Sequence, residues 1–257
     1  MNSKTALITG GATGIGKKIA EELAQRGINL VVNYRSSENE AINLAEGLIA
    51  EYGIRIELIQ GDVSSQQDCI KICEHIKQKN ITIDILIHNA GPYIHERKRL
   101  TDYSVDEWNY LINGNLNAVF YLTKELIPNM REQKWGRVIT IGFDRVETAP
   151  GWVYRSAFAA AKTGLASLTR TLSLEEAENG ITANMVCPGD ITGLWKETNI
   201  LEATSKVLTS TPVGRPGTGE DISRVVAFLI DDQSSFITGS IIPVTGGVDV
   251  LGKVHNK

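Results

Sequence analysis

Residues 9 to 16 read Thr-Gly-Gly-Ala-Thr-Gly-Ile-Gly, between a short apolar run and an amphipathic one. Glycines at 10, 14 and 16 permit a tight turn and let the backbone come close to a phosphate. A helix opening at Gly14-Ile15-Gly16 adds unpaired N–H groups and the positive end of its dipole. Such a loop cradles the pyrophosphate of a dinucleotide, with Gly10, Thr13, Gly14, Ile15 and Gly16 as the candidate contacts. The plain alternative is a glycine-rich turn with no ligand, and the strand before and helix after argue against it. The spacing, Gly-x3-Gly-x-Gly, is one residue longer than the commonest dinucleotide fingerprint.

The second apolar run ends Val31-Val32-Asn33-Tyr34-Arg35-Ser36. An NAD site places a carboxylate here to accept from the ribose 2′-hydroxyl, and that carboxylate would repel a 2′-phosphate. No Asp or Glu stands at this strand end. Arg35 offers a guanidinium fork and Ser36 a hydroxyl, both suited to phosphate, so the expected cofactor is NADP (NADPH), with NAD less favoured. A solvated surface arginine is the plain reading of Arg35.

Several elements must hold these residues in place. Strand-like runs fall at Lys4–Thr9, Asn29–Asn33, Arg55–Gln60, Ile83–His88, Arg137–Ile141, Thr182–Cys187 and Ser240–Val244. Helical patterns lie between them at 15–26, 38–52, 66–79, 105–132, 153–179 and 219–231, with Gly27 ending the first. Residues 192–212 read as short helix and loop. This alternation predicts a Rossmann-type, doubly wound α/β fold: a seven-stranded, mostly parallel sheet with helices on both faces, as a single domain over 1–257.

Composition narrows the function further. The 257 residues carry a formal net charge of −4 and no basic run, which argues against nucleic acid as a partner. The N-terminus is neither a signal nor a transit peptide, and no apolar stretch approaches the ~20 residues that cross a bilayer. A cytoplasmic protein with no membrane partner is the expectation. Cys69, Cys73 and Cys187 read as small buried hydrophobes, and His75, His88, His95 and His255 form no metal-type cluster, so no metal is expected.

Further landmarks follow in order: Asn89-Ala90-Gly91 after a strand, Asn115-Leu116 in a helix, Pro188-Gly189 after a strand, Thr238-Gly239 and Gly246-Gly247 around the last one. With the glycine loop, this series resembles the short-chain dehydrogenase/reductase family from about residue 4 to 250, nearest its 3-oxoacyl-thioester reductases. The resemblance implies hydride transfer between a nicotinamide and a carbonyl or alcohol. It also implies cofactor contacts at Asp62 and Val63 (adenine), at Asn89, Ala90, Gly91, Pro188 and Gly189, and at Ile191, whose backbone meets the nicotinamide amide. Similar proteins pair Asn-Tyr-Arg-Ser, here 33–36, with NADP. Relatives assemble as homotetramers or homodimers through the long helices 105–132 and 153–179 and the last helix and strand.

The family's chemistry needs a Tyr hydroxyl to give the proton and a Lys one helical turn later to lower its pKa and hold the ribose. A Ser orients the substrate oxygen, and an Asn props a water chain. Here Phe158-Ala159-Ala160-Ala161-Lys162-Thr163-Gly164 registers Lys162 as the lysine, and Asn115 is present. The tyrosine position is Phe158, and the serine position, at the end of Gly136–Phe143, is Phe143. Two of four catalytic positions match, and neither phenylalanine donates a proton or a hydrogen bond. Losing a positioned general acid typically costs ~10²–10⁴ in rate. His88 also replaces a common Asn, and Gly193 a common Thr.

Two functions remain open. One is NADP-dependent reduction of a 3-oxoacyl thioester or related small carbonyl with an altered proton source. The other is an NADP-binding pseudoenzyme acting as sensor or partner subunit. Tyr93, His95, Asp144 with Arg145, and Tyr154 at the start of the 153–179 helix are candidate replacements for the lost hydroxyls. Ordinary polar loop residues is the plainer reading of each.

Overall fold

Seven short runs rich in Ile, Val and Leu form β1 (Thr5–Ile8), β2 (Asn29–Tyr34), β3 (Ile56–Gln60), β4 (Ile85–His88), β5 (Gly136–Ile141), β6 (Ile181–Pro188) and β7 (Ile241–Val244). In the computed structural model, which describes residues 3–248, they join in one sheet of order β3-β2-β1-β4-β5-β6-β7, every pairing parallel. The expected doubly wound sheet is therefore present. His255 and the ends of the 1–257 span lie outside the described residues.

Helices cover both faces: α1 (Gly14–Gln25), α2 (Glu38–Tyr52), α3 (Gln66–Gln78), α4 (Val105–Ile112), α5 (Ala118–Gln133), α6 (Ser156–Glu175), α7 (Ile200–Thr204) and α8 (Gly219–Ile230). Alternate strand residues feed opposite cores, as period-two geometry requires. Ala6, Ile8, Val32 and Ile87 pack with Ile19 and Leu23 of α1 and Val226 and Leu229 of α8. Leu7, Val31, Leu86 and Val138 pack with Ile72 of α3 and with Leu122, Leu126 and Met130 of α5.

The chain runs outward from β1 to β3, returns to β4, and then runs the other way. Sheets of this kind bind ligands in the crevice beyond the carboxyl ends of the strands where the order reverses, here β1 and β4. The glycine loop follows β1, and Asn89-Ala90-Gly91 follows β4.

Two predicted helices are corrected. The 105–132 pattern divides into α4 and α5 around a π-helical turn, Asn113–Asn117, a wider coil that periodicity does not reveal and that carries Asn115. The 153–179 pattern begins only at Ser156, and a separate turn at Ala177–Asn179 follows α6. Tyr154 thus does not open the helix. It lies two residues before it with φ +65°, and its carbonyl accepts from Tyr103 Oη and Arg155 Nη1. The 192–212 segment is short helix and loop, as expected, with a turn at Gly193–Lys196 and then α7. Among the described residues, no helix is long and apolar enough to cross a membrane.

Candidate active site

Local packing fixes the glycine loop. Gly10 and Gly14 hold φ near +60°, a region open to glycine and costly for other residues. A Cβ on Gly16 would lie 2.1 Å from the Gly10 carbonyl oxygen, so α1 can begin against the loop only with glycine there. Asn33, buried at the end of β2, accepts from the Gly10 N–H at 3.3 Å through its side chain and from the Gly11 N–H at 3.0 Å through its backbone oxygen. Asn89 donates to the carbonyls of Thr9 and Gly10 at 3.0 and 3.1 Å. Its amide therefore shapes the loop rather than pointing at a ligand, a role the sequence reading did not give it. An Asn inside the apolar run Val31-Val32-Asn33 was the available signal for the first of these clamps.

Beyond the loop runs a groove of about 390 Å³. Gly10, Thr13, Arg35, Ser36, Asp62, Val63, Ala90 and Gly91 all line it, so half of the expected cofactor residues share one surface. Arg35 is exposed, donates to Tyr110 Oη and lies 3.8 Å from Asp62 Oδ2. Gly189 and Ile191 instead line a second cavity of about 410 Å³ beside β7. At the start of α1, Glu197 accepts from the Gly14 N–H at 2.7 Å and pairs with Lys17 at 2.9 Å. That carboxylate meets the helix end whose dipole suits an anion, and no sequence spacing announced it.

At the inner end of the groove, Lys162 on α6 is buried and donates to the Ile141 carbonyl at 2.8 Å. Burial lowers its pKa to about 8, opposed by the nearby Cys187 thiol. Asn115 donates to Pro92 O at 2.8 Å and to Leu111 O at 3.0 Å, tying the β4 loop to the π-helical turn. Its Oδ1 is buried and has no donor among the described residues. A Cβ on Gly91 would stand 2.3 Å from that oxygen and 3.3 Å from Lys162 Nζ. The amine and the amide oxygen thus converge on Gly91. His88, beneath them, is buried with a pKa lowered to about 3, first by burial and then by Lys162, so it is neutral at physiological pH; its Nε2 lies 3.2 Å from Thr123 Oγ1.

Above Lys162 the surroundings change. Phe158, one turn earlier on α6, has its ring centroid 5.8 Å from Lys162 Nζ. Four aromatic rings gather there. Phe143 and Trp152 are 5.1 Å apart, Phe143 and Phe158 6.1 Å, Trp152 and Phe158 6.0 Å, and Tyr93 stands edge-to-face on Phe158 at 5.1 Å. Phe143 is buried while Trp152, Phe158 and Tyr93 remain partly exposed. The connecting loop holds Arg145, Ala149 and Tyr154 at positive φ, an uncommon density of left-handed non-glycine residues. Asp144 is buried. Among the described residues, no three His, Cys, Asp or Glu side chains gather as a metal set.

A family profile described as "Enoyl-(Acyl carrier protein) reductase" matches residues 10–249. "Putative oxidoreductase YtkK" of Bacillus subtilis (strain 168) is 51% identical over 96% of this chain and 97% of its own length. The 3-oxoacyl-[acyl-carrier-protein] reductase FabG of Buchnera aphidicola subsp. Baizongia pistaciae is 38% identical over 95% and 97%. The chain belongs to the short-chain dehydrogenase/reductase family. Among solved structures of this family, a "putative 3-oxoacyl-reductase from bacillus thuringiensis" superposes with TM-score 0.89 at 49% identity, covering 97% of this chain and 100% of that one. A blue fluorescent protein from a metagenomic library, in complex with NADPH, superposes with TM-score 0.82 at 29% identity over 96% and 98%. This short-chain dehydrogenase/reductase is thus an oxidoreductase-family chain resembling 3-oxoacyl-[acyl-carrier-protein] reductases.

Proposed function

We propose that this chain is an NADPH-dependent reductase of a 3-oxoacyl thioester or a related small carbonyl compound, working without the two hydroxyls usual at positions 143 and 158. The observation that carries the reading is the convergence of the Lys162 amine and the Asn115 amide oxygen on Gly91, at the inner end of the groove that starts at the glycine loop. The groove's residues fit a dinucleotide: Gly16 admits no side chain, the positive end of the α1 dipole opens beside the loop, and the buried Asn115 Oδ1 is left for a donor that the described residues do not supply. Bound there, the cofactor supplies the hydride. Thr13 and the first turn of α1 hold the pyrophosphate, Asp62 and Val63 the adenine, Lys162 the ribose, and Ile191 the carboxamide. Arg35 and Ser36 favour the 2′-phosphate, and the relative solved with NADPH supports that preference.

We read residues 1–257 as one domain and the protein as cytoplasmic, consistent with three free cysteines. Phe120 on α5, Leu174 on α6 and Phe228 on α8 expose apolar surface on the helices that pair in similar proteins, which supports a homotetramer or homodimer.

The test is purified chain, NADPH and a 3-oxoacyl thioester, following loss of absorbance at the nicotinamide band. Turnover is expected, below the ordinary family rate. The second reading, an NADP-binding pseudoenzyme, is favoured by Phe143 and Phe158 and requires NADPH binding with no turnover.

A further inference from the structure

A carbonyl reduced without a hydroxyl at position 158 still needs a proton, and the groove contains one phenol beside that position. Tyr93 lines the groove two residues after Gly91, and its ring stands edge-to-face on Phe158 with centroids 5.1 Å apart. Its oxygen accepts from Arg155 Nε. Arginine only donates, so this bond leaves the Tyr93 O–H free to donate elsewhere. The guanidinium is itself anchored, with Nη1 donating to Glu96 O and Tyr154 O at 2.8 Å and Nη2 to His95 O at 3.0 Å. It also lies 5.0 Å from the centroid of the Tyr93 ring.

The other candidates fit less well. Tyr154 lies outside α6 in a left-handed turn, and Asp144 is buried in the loop next to Phe143. His95 packs on Tyr93 and offers its carbonyl to Arg155.

We propose that Tyr93 is the proton donor of the reduction and that Arg155 is its positioning residue. The proposal rests on the reductase reading above. The carbonyl carbon receives a hydride from the dihydronicotinamide ring and forms its new C–H bond. The C=O π pair moves onto oxygen, which takes the proton as the Tyr93 O–H bond breaks. A cation that already donates to the phenol oxygen stabilises the negative charge left there, and the phenolate regains a proton from solvent. The usual arrangement joins a phenol and a cation four residues apart on one helix. Here the pair spans two loops, and a ring without a hydroxyl occupies the helix position.

The experiment compares the wild type with Tyr93→Phe, with Arg155→Met and Arg155→Lys, and with Tyr93→Phe combined with Phe158→Tyr. NADPH affinity by fluorescence titration is read beside kcat. Tyr93→Phe is expected to lower kcat about 100-fold or more while NADPH affinity stays within about threefold, and adding Phe158→Tyr should recover at least about tenfold. Arg155→Met should lower kcat while NADPH affinity stays within about threefold, with Arg155→Lys restoring part of the loss. Wild-type turnover retained in Tyr93→Phe would overturn the donor assignment and leave the reductase reading intact. A wild type that binds NADPH without reducing the thioester would overturn both. If Tyr93→Phe fails to fold, Arg155→Met and Arg155→Lys decide, because an unchanged kcat in Arg155→Met, or no recovery in Arg155→Lys, contradicts the proposal.

Discussion

The two ends of the groove are built on different terms. At the glycine loop, polar groups are held to the backbone through Asn33 and Asn89, and the backbone is so close-packed that Gly16 and Gly91 admit no side chain. Above Lys162, four rings meet across 5 to 6 Å contacts, positions 143 and 158 carry no hydroxyl, and the one phenol among the four is that of Tyr93. Backbone hydrogen bonds and close approach tolerate almost no substitution, whereas an aromatic cluster forms from many combinations of side chains. Binding and chemistry can therefore diverge within one fold, and a motif that supports binding does not by itself support the chemistry.

Breaking the cofactor end should give the largest effect. Gly16→Ala forces a methyl group against the Gly10 carbonyl and should weaken NADPH binding by about 100-fold or more in a fluorescence titration. The opposite change at the substrate end, Phe143→Ser with Phe158→Tyr, should raise kcat by about 100-fold over the wild type and by more than either single change. If the double variant binds NADPH but is no faster, the missing hydroxyls do not limit the reaction.

Lys162 joins the two regions, and its stability effect can be separated from its function. The folded chain holds its pKa at about 8, below the value of 10.5 for a free lysine, so the unfolded chain binds more protons between those limits. Stability from this group therefore rises as pH increases from about 8 to 10.5, and the cost of burying the charge is fully present below 8. Lys162→Met should raise stability at pH 7 by about 2–4 kcal/mol, with the gain shrinking towards pH 10.5, while activity is lost. Urea unfolding at pH 7 and pH 10 measures this, and a variant less stable than wild type at pH 7 would contradict it.

At the groove mouth, Arg35→Ala should weaken NADPH about tenfold and leave NADH nearly unchanged by calorimetry. Equal losses for both cofactors would remove the 2′-phosphate role. The smallest effect belongs to the strained loop. Ala149→Gly relieves a left-handed alanine and should stabilise the fold by about 0.5 kcal/mol in thermal unfolding, with kcat unchanged.

Much of this was legible in the sequence because it rests on local periodicity and on glycine. Apolar strands between amphipathic helices give the doubly wound sheet, and Gly10, Gly14, Gly16 and Gly91 fall where the backbone requires them. The lysine and the two phenylalanines could be registered because Phe158 and Lys162 lie one turn apart on α6. Features that depend on long-range side-chain contact were hidden. Asn115 sits on a π-helical turn that no periodicity marks, Glu197 reaches Gly14 across 183 residues, and Arg155 reaches Tyr93 across 62. Tyr154 reads as helical in the sequence because helical patterning does not show the left-handed turn that precedes Ser156.

The most direct test of hydride transfer uses NADPH deuterated at the transferred C4 position, with the wild-type chain and a 3-oxoacyl thioester. Mass spectrometry of the product should show one deuterium on the carbon bearing the new hydroxyl. Labelled NADPH that binds but yields no deuterated product would contradict the account.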